Sequence, residues 1–269
     1  MNNISQGQQK YMDALERGKR RVRIAQIVIL LAFFTLWELA ARTGIIDPFI
    51  FSSPSRIFAC LVQMSADGSL FRHIGVTLFE TCAGFILGTA LGTFLAVILW
   101  WNESLRKVLD PYLVVLNSLP KTALAPIIIV WIGNNMSSII VTALLTSVIV
   151  TLLSVLAGFM AVEDDKILLA RTFRATKTQI LKYVVFPASV PAIMNALKIN
   201  VGLSFVGVMV GEFLVAGAGL GYLIVYGSQV FKLDWVMLSV LILAFLAAVM
   251  YKCVSGLEKR FTGRWKEKE

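Results

Sequence analysis

Long apolar blocks separated by short polar stretches dominate the chain, and they lie near residues 24–43, 75–101, 110–132, 137–161, 188–214 and 234–256. A helix that crosses the hydrocarbon of a bilayer needs roughly 20 mostly apolar residues, so the pattern predicts six transmembrane helices. The uncharged run from Thr122 to Val162 is 41 residues long, too much for one crossing, and Gly133, Asn134 and Asn135 supply the turn that splits it. The first apolar block, IAQIVILLAFFTLWELAA, follows some 23 mostly polar residues and has no small-x-small cleavage site. It is therefore expected to remain as a span, with residues 1–23 as a cytoplasmic tail. One polar interruption stands apart from the rest. The stretch EDDKILLARTFRATKTQILKY, residues 163–183, runs straight into VVFPASVPAI.

Composition agrees with the pattern. Hydrophobic residues make up 58% of the chain and charged residues 15%, with a mean hydropathy of +0.79, which excludes a soluble domain of this length. The expected fold is an all-α membrane protein, one bundle domain over 24–256 with a short cytoplasmic tail at 257–269. An outside segment at 44–74, carrying Pro48 and Pro54, is expected to form a short surface helix near 55–64. Of the 25 Lys and Arg residues, all but Arg42, Arg56, Arg72, Lys121, Lys198 and Lys232 fall in the N-terminal tail, the Arg106-Lys107 turn, the 163–183 insert and the C-terminal stretch from Lys252 to Lys268. That bias predicts both termini on the cytoplasmic side. It accounts for the net charge of +9 through the lipid bilayer, without any nucleic-acid partner. Cys60, Cys82 and Cys253 are too scattered for a disulfide framework or a metal site and read as small hydrophobes.

Within the spans, Gly84, Gly88 and Gly92 in GFILGTALG recur every four residues and share one helical face. Helices in lipid gain packing energy by close backbone approach at such residues, so this face should meet another helix, in the same chain or in a second copy. Five ionisable residues lie inside spans, where one at the bilayer centre costs on the order of 3 kcal/mol. Glu38 is placed to reach the outer interface, and Lys198 to reach neighbouring carbonyls. Glu80 reads either as a buried hydrogen-bond partner or as a pathway residue. Lys121 is flanked by Pro120 and Pro126 in SLPKTALAP, and Glu212 precedes VAGAGLGYLI with Gly217, Gly219 and Gly221. Both accompany expected breaks in helix regularity, where freed carbonyls must face protein or water. These residues are candidates for a gate or path lining, or alternatively for a structural charge pair.

No phosphate-binding loop is present, since Gly18-Lys19 is followed by Arg20 and preceded at the required spacing by Asp13. The lone histidine, His73, leaves no catalytic triad and no metal-ligand set. An enzyme is not expected, and neither is a cofactor bound by this chain. The insert itself reads as two short helices. Asp164 or Asp165 is placed to cap the first and Thr178 the second, Leu169 and Phe173 share a face, and Arg171, Arg174 and Lys177 decorate the remainder. Such an element either docks Phe173 into a groove on a soluble subunit or lies on anionic lipid.

The run LLARTFRATKTQILKYVVFPASVPAIMNALK resembles the cytoplasmic loop of permease subunits in binding-protein-dependent ATP-binding-cassette importers, whose hallmark is E-A-A-x-x-x-G followed by a Pro-containing stretch. SLPKTALAPIIIVWIG, TLFETCAGFILGTALG and GEFLVAGAGLGYLIVYGSQVF resemble further segments of that family. Together they cover about residues 50–265, in the order seen in the branch that imports nitrate, sulfonates, taurine and thiamine-precursor pyrimidines. Laying Arg174 on the family glycine puts Leu168, Leu169 and Ala170 on E-A-A and keeps Ala175, Pro187 and Pro191. The resemblance implies a type I importer permease in a bacterial inner membrane. Two copies would line a path for a small polar or anionic solute brought by an external binding protein. Cytoplasmic ATPase subunits would hold ATP and Mg and push the insert at Leu169, Ala170, Arg171, Phe173, Arg174, Ala175 and Lys177, with hinges at Pro187 and Pro191. A different class stays open, an ion-coupled carrier or channel using Glu80, Lys121 and Glu212 as relay groups.

Overall fold

The computed structural model describes residues 6–266; the first five residues of the expected N-terminal tail and the last three of the C-terminal tail lie outside the described residues. Every regular element among the described residues is helical. The chain divides into two compact units, residues 1–63 and 64–269, where the sequence reading drew a single domain over 24–256.

The first unit holds α1 (Gln6–Arg42), α2 (Pro48–Phe51) and most of α3 (Pro54–Ala66), the last matching the expected surface helix. From Arg20 to Arg42, α1 is long and apolar enough to cross a membrane. Glu38, one turn from its end, pairs with Arg42 at 2.7 Å and accepts the Ser55 N–H at 3.1 Å, so it ties the helix end to the start of α3. Asp47 caps α2 by accepting the Phe49 N–H at 2.8 Å, the arrangement favoured where Pro48 opens a helix.

In the second unit, α7 (Met136–Met160) lies between α4 (Ser69–Trp101) and α11 (Val190–Val215). The glycine face of α4 meets α7 of the same chain, which resolves the choice left open by the sequence. A Cβ built on Gly84 would stand 2.6 Å from the Ala143 Cβ, one on Gly92 2.7 Å from the Val148 carbonyl, and one on Gly88 would fall on the Ser147 hydroxyl. On the other flank, Gly211 of α11 leaves room for Ile139, and Gly207 for Ala143. α7 carries buried Thr142, Thr146, Ser147 and Thr151, whose hydroxyls donate to the carbonyls of Ser138, Thr142, Ala143 and Thr151's own neighbour Ser147 at 2.7–3.1 Å. Each polar side chain is thereby satisfied by its own helix, and small hydroxyls can occupy an apolar contact.

The continuous span expected near 110–132 is broken. α5 (Glu103–Ser118) and the segment Lys121–Ile132, a short 3-10 turn followed by α6 (Ala125–Ile132), meet at 86°. Pro120 has no N–H to continue the helix and Pro126 opens α6, so the chain bends where the prolines predict but far more sharply than a kink. α5 also starts earlier than expected, because Asn102 ends α4 and caps α5 by accepting the Leu105 N–H at 3.0 Å. Among the described residues, five helices are long and apolar enough to cross a membrane, or six if the bent pair counts as one span. α12 (Leu220–Gln229) precedes α13 (Leu233–Lys266). Lys198 reaches Glu258 of α13 at 2.6 Å rather than backbone carbonyls, because α13 continues as helix beyond the expected boundary at 256.

Gly88→Val is expected to force α4 off α7 and to cost about 1–3 kcal/mol by overpacking. A marked fall in the thermal midpoint of the detergent-purified protein checks this, with Gly202→Ala, which meets nothing within 4 Å, as the tolerated control.

Candidate functional site

Two clusters stand out at opposite ends of the second unit. At the first, α11 ends at Val215 and the chain reverses through residues 216–219 into α12, whose N-cap Gly219 has φ 122 and no side chain to offer. The first N–H groups of any helix lack partners within that helix. Here other elements supply them. Glu212 accepts the Gly221 N–H at 2.5 Å, the Tyr222 N–H, and the Thr77 hydroxyl at 2.6 Å. Thr77 in turn accepts the Leu220 N–H at 2.8 Å, and His73 Nδ1 accepts the Gly219 N–H at 3.0 Å. The carboxylate also complements the positive end of the α12 dipole. A Cβ on Gly219 would collide with the Glu212 carboxylate, which explains a glycine there independently of its positive φ. His73 stacks on Tyr222 and Tyr222 on Tyr226, at ring separations of 5.9 and 5.5 Å.

Glu80 lies one turn further along α4, and its carboxyl is in hydrogen-bonding contact with that of Glu212. Both glutamates are 1% exposed. The structural alternative in which Glu212 pairs with Lys121 is corrected: the Lys121 ammonium donates to the Asn117 carbonyl at 2.8 Å, since the 86° bend places it on the α5 side of the broken span. Pro120 and Pro126 are exposed at that same bend. Thr77 is absent from the sequence reading, and His73 stands there only as a lone histidine without a ligand set, not as an acceptor for α12. The signal for Thr77 was its place three residues before Glu80, on one helical face.

The second cluster is the 163–183 insert, a hairpin of α8 (Asp164–Thr172) and α9 (Lys177–Ile180). Its caps differ from expectation. Glu163 occupies the first N-cap without a side-chain bond, leaving Asp164 and Asp165 in the first turn, where they suit the helix dipole. Thr176 rather than Thr178 caps α9, because its extended backbone allows a reciprocal box with Gln179: the Gln179 N–H reaches the Thr176 hydroxyl and the Thr176 N–H reaches Gln179 Oε1 at 2.7 Å. Between the helices Arg174 sits at φ 57, in the left-handed region that costs an arginine about 1–2 kcal/mol. Ala170 and Ala175 pack inward with Ile167 against the core cluster to which Phe159, Ile180 and Val185 belong. Leu168, Leu169 and Phe173 point away from that core, and Phe173 is 79% exposed at the tip, beside exposed Arg171 and Arg174.

Lys177 has an intramolecular task. Its ammonium donates to the Trp101 carbonyl at 2.5 Å and lies over the Trp100 and Trp101 rings, tying the hairpin to the end of α4. Beyond α9 the chain passes through a π-helical turn, Leu181–Val185, and α10 (Phe186–Ala188) into α11. Pro187 and Pro191 fall in the first turns of α10 and α11, where a missing N–H costs nothing, so the irregular backbone lies before them. A cavity of about 510 Å³ opens between α5 and α7, lined by Arg106, Lys107 and Asp110 on one side and Leu153, Leu156 and Met160 on the other.

The family described as the binding-protein-dependent transport system inner membrane component matches residues 88–267. The chain belongs to this family. A formylaminopyrimidine transport permease protein of Halalkalibacterium halodurans is 30% identical over 243 residues, covering 90% of this chain and 96% of its own. A probable ABC transporter permease protein of Haemophilus influenzae is 29% identical over 235 residues, covering 87% and 95%. Among solved structures, an inward-facing MetNI methionine ABC transporter chain superposes with a TM-score of 0.62 at 18% identity, over 73% of this chain and 98% of that one. A chain of a bacterial ABC transporter involved in alginate import superposes with 0.63 at 16%, over 92% and 99%. The fold is that of type I ABC importer permeases, and the protein is a multi-pass membrane transport component for small solutes.

Thr77→Val keeps the shape of the side chain but leaves Glu212 and the Leu220 N–H each short of a partner. A loss of about 1–3 kcal/mol is expected, read as a lower thermal midpoint that Thr77→Ser restores.

Proposed function

We propose that the chain is the membrane half of an ATP-driven importer in the bacterial inner membrane, taking up a small polar or anionic solute handed over by an external binding protein. Both termini face the cytoplasm in this reading. Two cytoplasmic ATPase subunits bind ATP and Mg, which this chain does not bind, and grip the α8–α9 hairpin of each of two permease copies. The observation that carries the reading is the hairpin tip, where Leu168, Leu169 and Phe173 are turned outward and Phe173 is 79% exposed. An apolar tip ringed by Arg171 and Arg174 suits insertion into a groove of a soluble partner, with the inward Ala170 and Ala175 transmitting the load to the bundle core. Lys177 acts in the same transmission by holding the hairpin to α4.

The second copy is supported by the broken span, whose Val114, Val115, Val130 and Trp131 are exposed around the bend. Pro120, Lys121 and Pro126 stand at the same bend and line the path between copies. Glu80 and Glu212 belong instead to the packing beneath α12, and their part in the path is to hold that outer segment in place. Pro187 and Pro191 begin the helices that swing, while the π-helical turn before them supplies the hinge. The solute class of this reading is supported by relatives named for formylaminopyrimidine, aliphatic sulfonates and taurine.

Phe173→Asp is expected to abolish co-purification of the partner ATPase, and ATP-dependent uptake with it, while leaving the thermal midpoint unchanged. Retained co-purification overturns the docking role. Uptake by the chain reconstituted alone under an ion gradient would favour the carrier class instead.

A further inference from the structure

The hydrogen bonds around the start of α12 distinguish the two buried glutamates. Glu212 receives the Thr77 hydroxyl and two backbone N–H groups, the environment of a carboxylate. Glu80 receives nothing comparable. Its Oε2 is buried and has no hydrogen-bond partner, although the carboxyl lies against Glu212. Two carboxylates in contact at 1% exposure repel strongly in a medium of low dielectric constant, and one of them is normally neutralised.

No neighbouring element supplies the neutralising charge. On α4 the facing titratable group is His73, which spends Nδ1 on the Gly219 N–H, with Arg72 beside it. α7 contains no ionisable residue between Met136 and Met160, and α6 none between Ala125 and Ile132. α12 contributes Tyr222, stacked on His73, and Tyr226. On α11 the only other charge, Lys198, is paired with Glu258, and Lys232 before α13 lies over Trp235. Asp234, at the start of α13, has the wrong sign. A metal ion is also a poor occupant, because Glu212 has already committed its oxygens to hydrogen-bond donors and no group of three His, Cys, Asp or Glu side chains gathers among the described residues. A proton needs no coordination shell. Placed on Glu80, it turns the repulsive contact into a hydrogen bond donated to Glu212.

We propose that Glu80 and Glu212 form a one-proton binding site that latches α12 to α4 and α11, and that the site loses its proton to water when α12 lifts and exposes it. The balance is simple: the Glu80 O–H bond breaks, the proton passes to solvent water, and the two carboxylates are then stable only apart. Alkaline conditions therefore favour the unlatched segment and acidic conditions the latched one. The inference concerns one chain and stands whichever subunits drive transport.

Infrared spectroscopy of the full-length protein in lipid at neutral pH is expected to show the carbonyl stretch of a protonated carboxylic acid, lost in Glu80→Gln. Amide hydrogen exchange, normalised to the intrinsic rate, supplies the second reading. Protection of the Gly219, Leu220, Gly221 and Tyr222 amides should fall about tenfold or more between neutral and alkaline pH in the wild type. It should hold in Glu80→Gln, whose amide still donates to Glu212 and cannot ionise. No difference in the acid band between the two proteins, or the same alkaline loss of protection in Glu80→Gln, overturns the proposal. Should Glu80→Gln fail to fold, the wild type decides alone: a band that vanishes in step with protection supports the site, and a band that persists after protection is lost refutes it.

Discussion

The approach of α4 and α11 to α7, close enough that backbone meets backbone, is the contact on which the second unit depends. Lipid offers helices no hydrophobic reward for associating, so their attraction must come from dispersion and from satisfied polar groups. Gly84, Gly88 and Gly92 on one flank and Gly207 and Gly211 on the other remove the side chains that would hold the helices apart. The hydroxyls of α7 that fill the seam are bonded within their own helix. The central helix thus carries several hydroxyls in an otherwise apolar span, and its own carbonyls accept from them, so close packing asks mainly for complementary shape from its neighbours.

That economy is lost where helices end. At the start of α12 the chain reverses, several N–H groups have no helical partner, and water is not at hand to serve them. Glu212, Thr77 and His73 meet the need from two other helices, drawing an ionisable group into the interior. The same problem is solved at the other end of the unit with neutral chemistry, by Thr176 and Gln179 on the hairpin and Asn102 on α5. The difference follows from setting: the hairpin and the α5 start are exposed and water can share the work, whereas the α12 start is enclosed.

The sequence made the spans, the polar insert and the period-four glycines legible because each is a local property, carried by hydropathy or by spacing along one helix. It also marked Pro120 and Pro126 as places of irregularity, although composition could not tell a kink from an 86° corner. The partners of Glu212 were hidden. Thr77 lies 135 residues away, and no periodicity relates a residue on α4 to one near the end of α11. Two charges near chain breaks, Lys121 and Glu212, invited pairing by sign, while the structure joins Glu212 to another acid. The caps of the hairpin show a finer limit. Thr176 and Thr178 are both plausible from residue type, and only the extended backbone at Thr176, followed three residues later by Gln179, separates them.

The wide turn at Leu181–Val185 holds more residues than an ordinary helical turn while the chain advances into α10 and α11. Each residue of an α-helix carries the chain about 100° around its axis, so a single extra residue there fixes the compass bearing of everything before it relative to everything after it. The bearing of Phe173 is consequently written in the length of this stretch as much as in its composition. Shortening it by one residue would leave a smoother rod with its tip aimed about a quarter of the way round, away from the side on which Lys177 now finds Trp101.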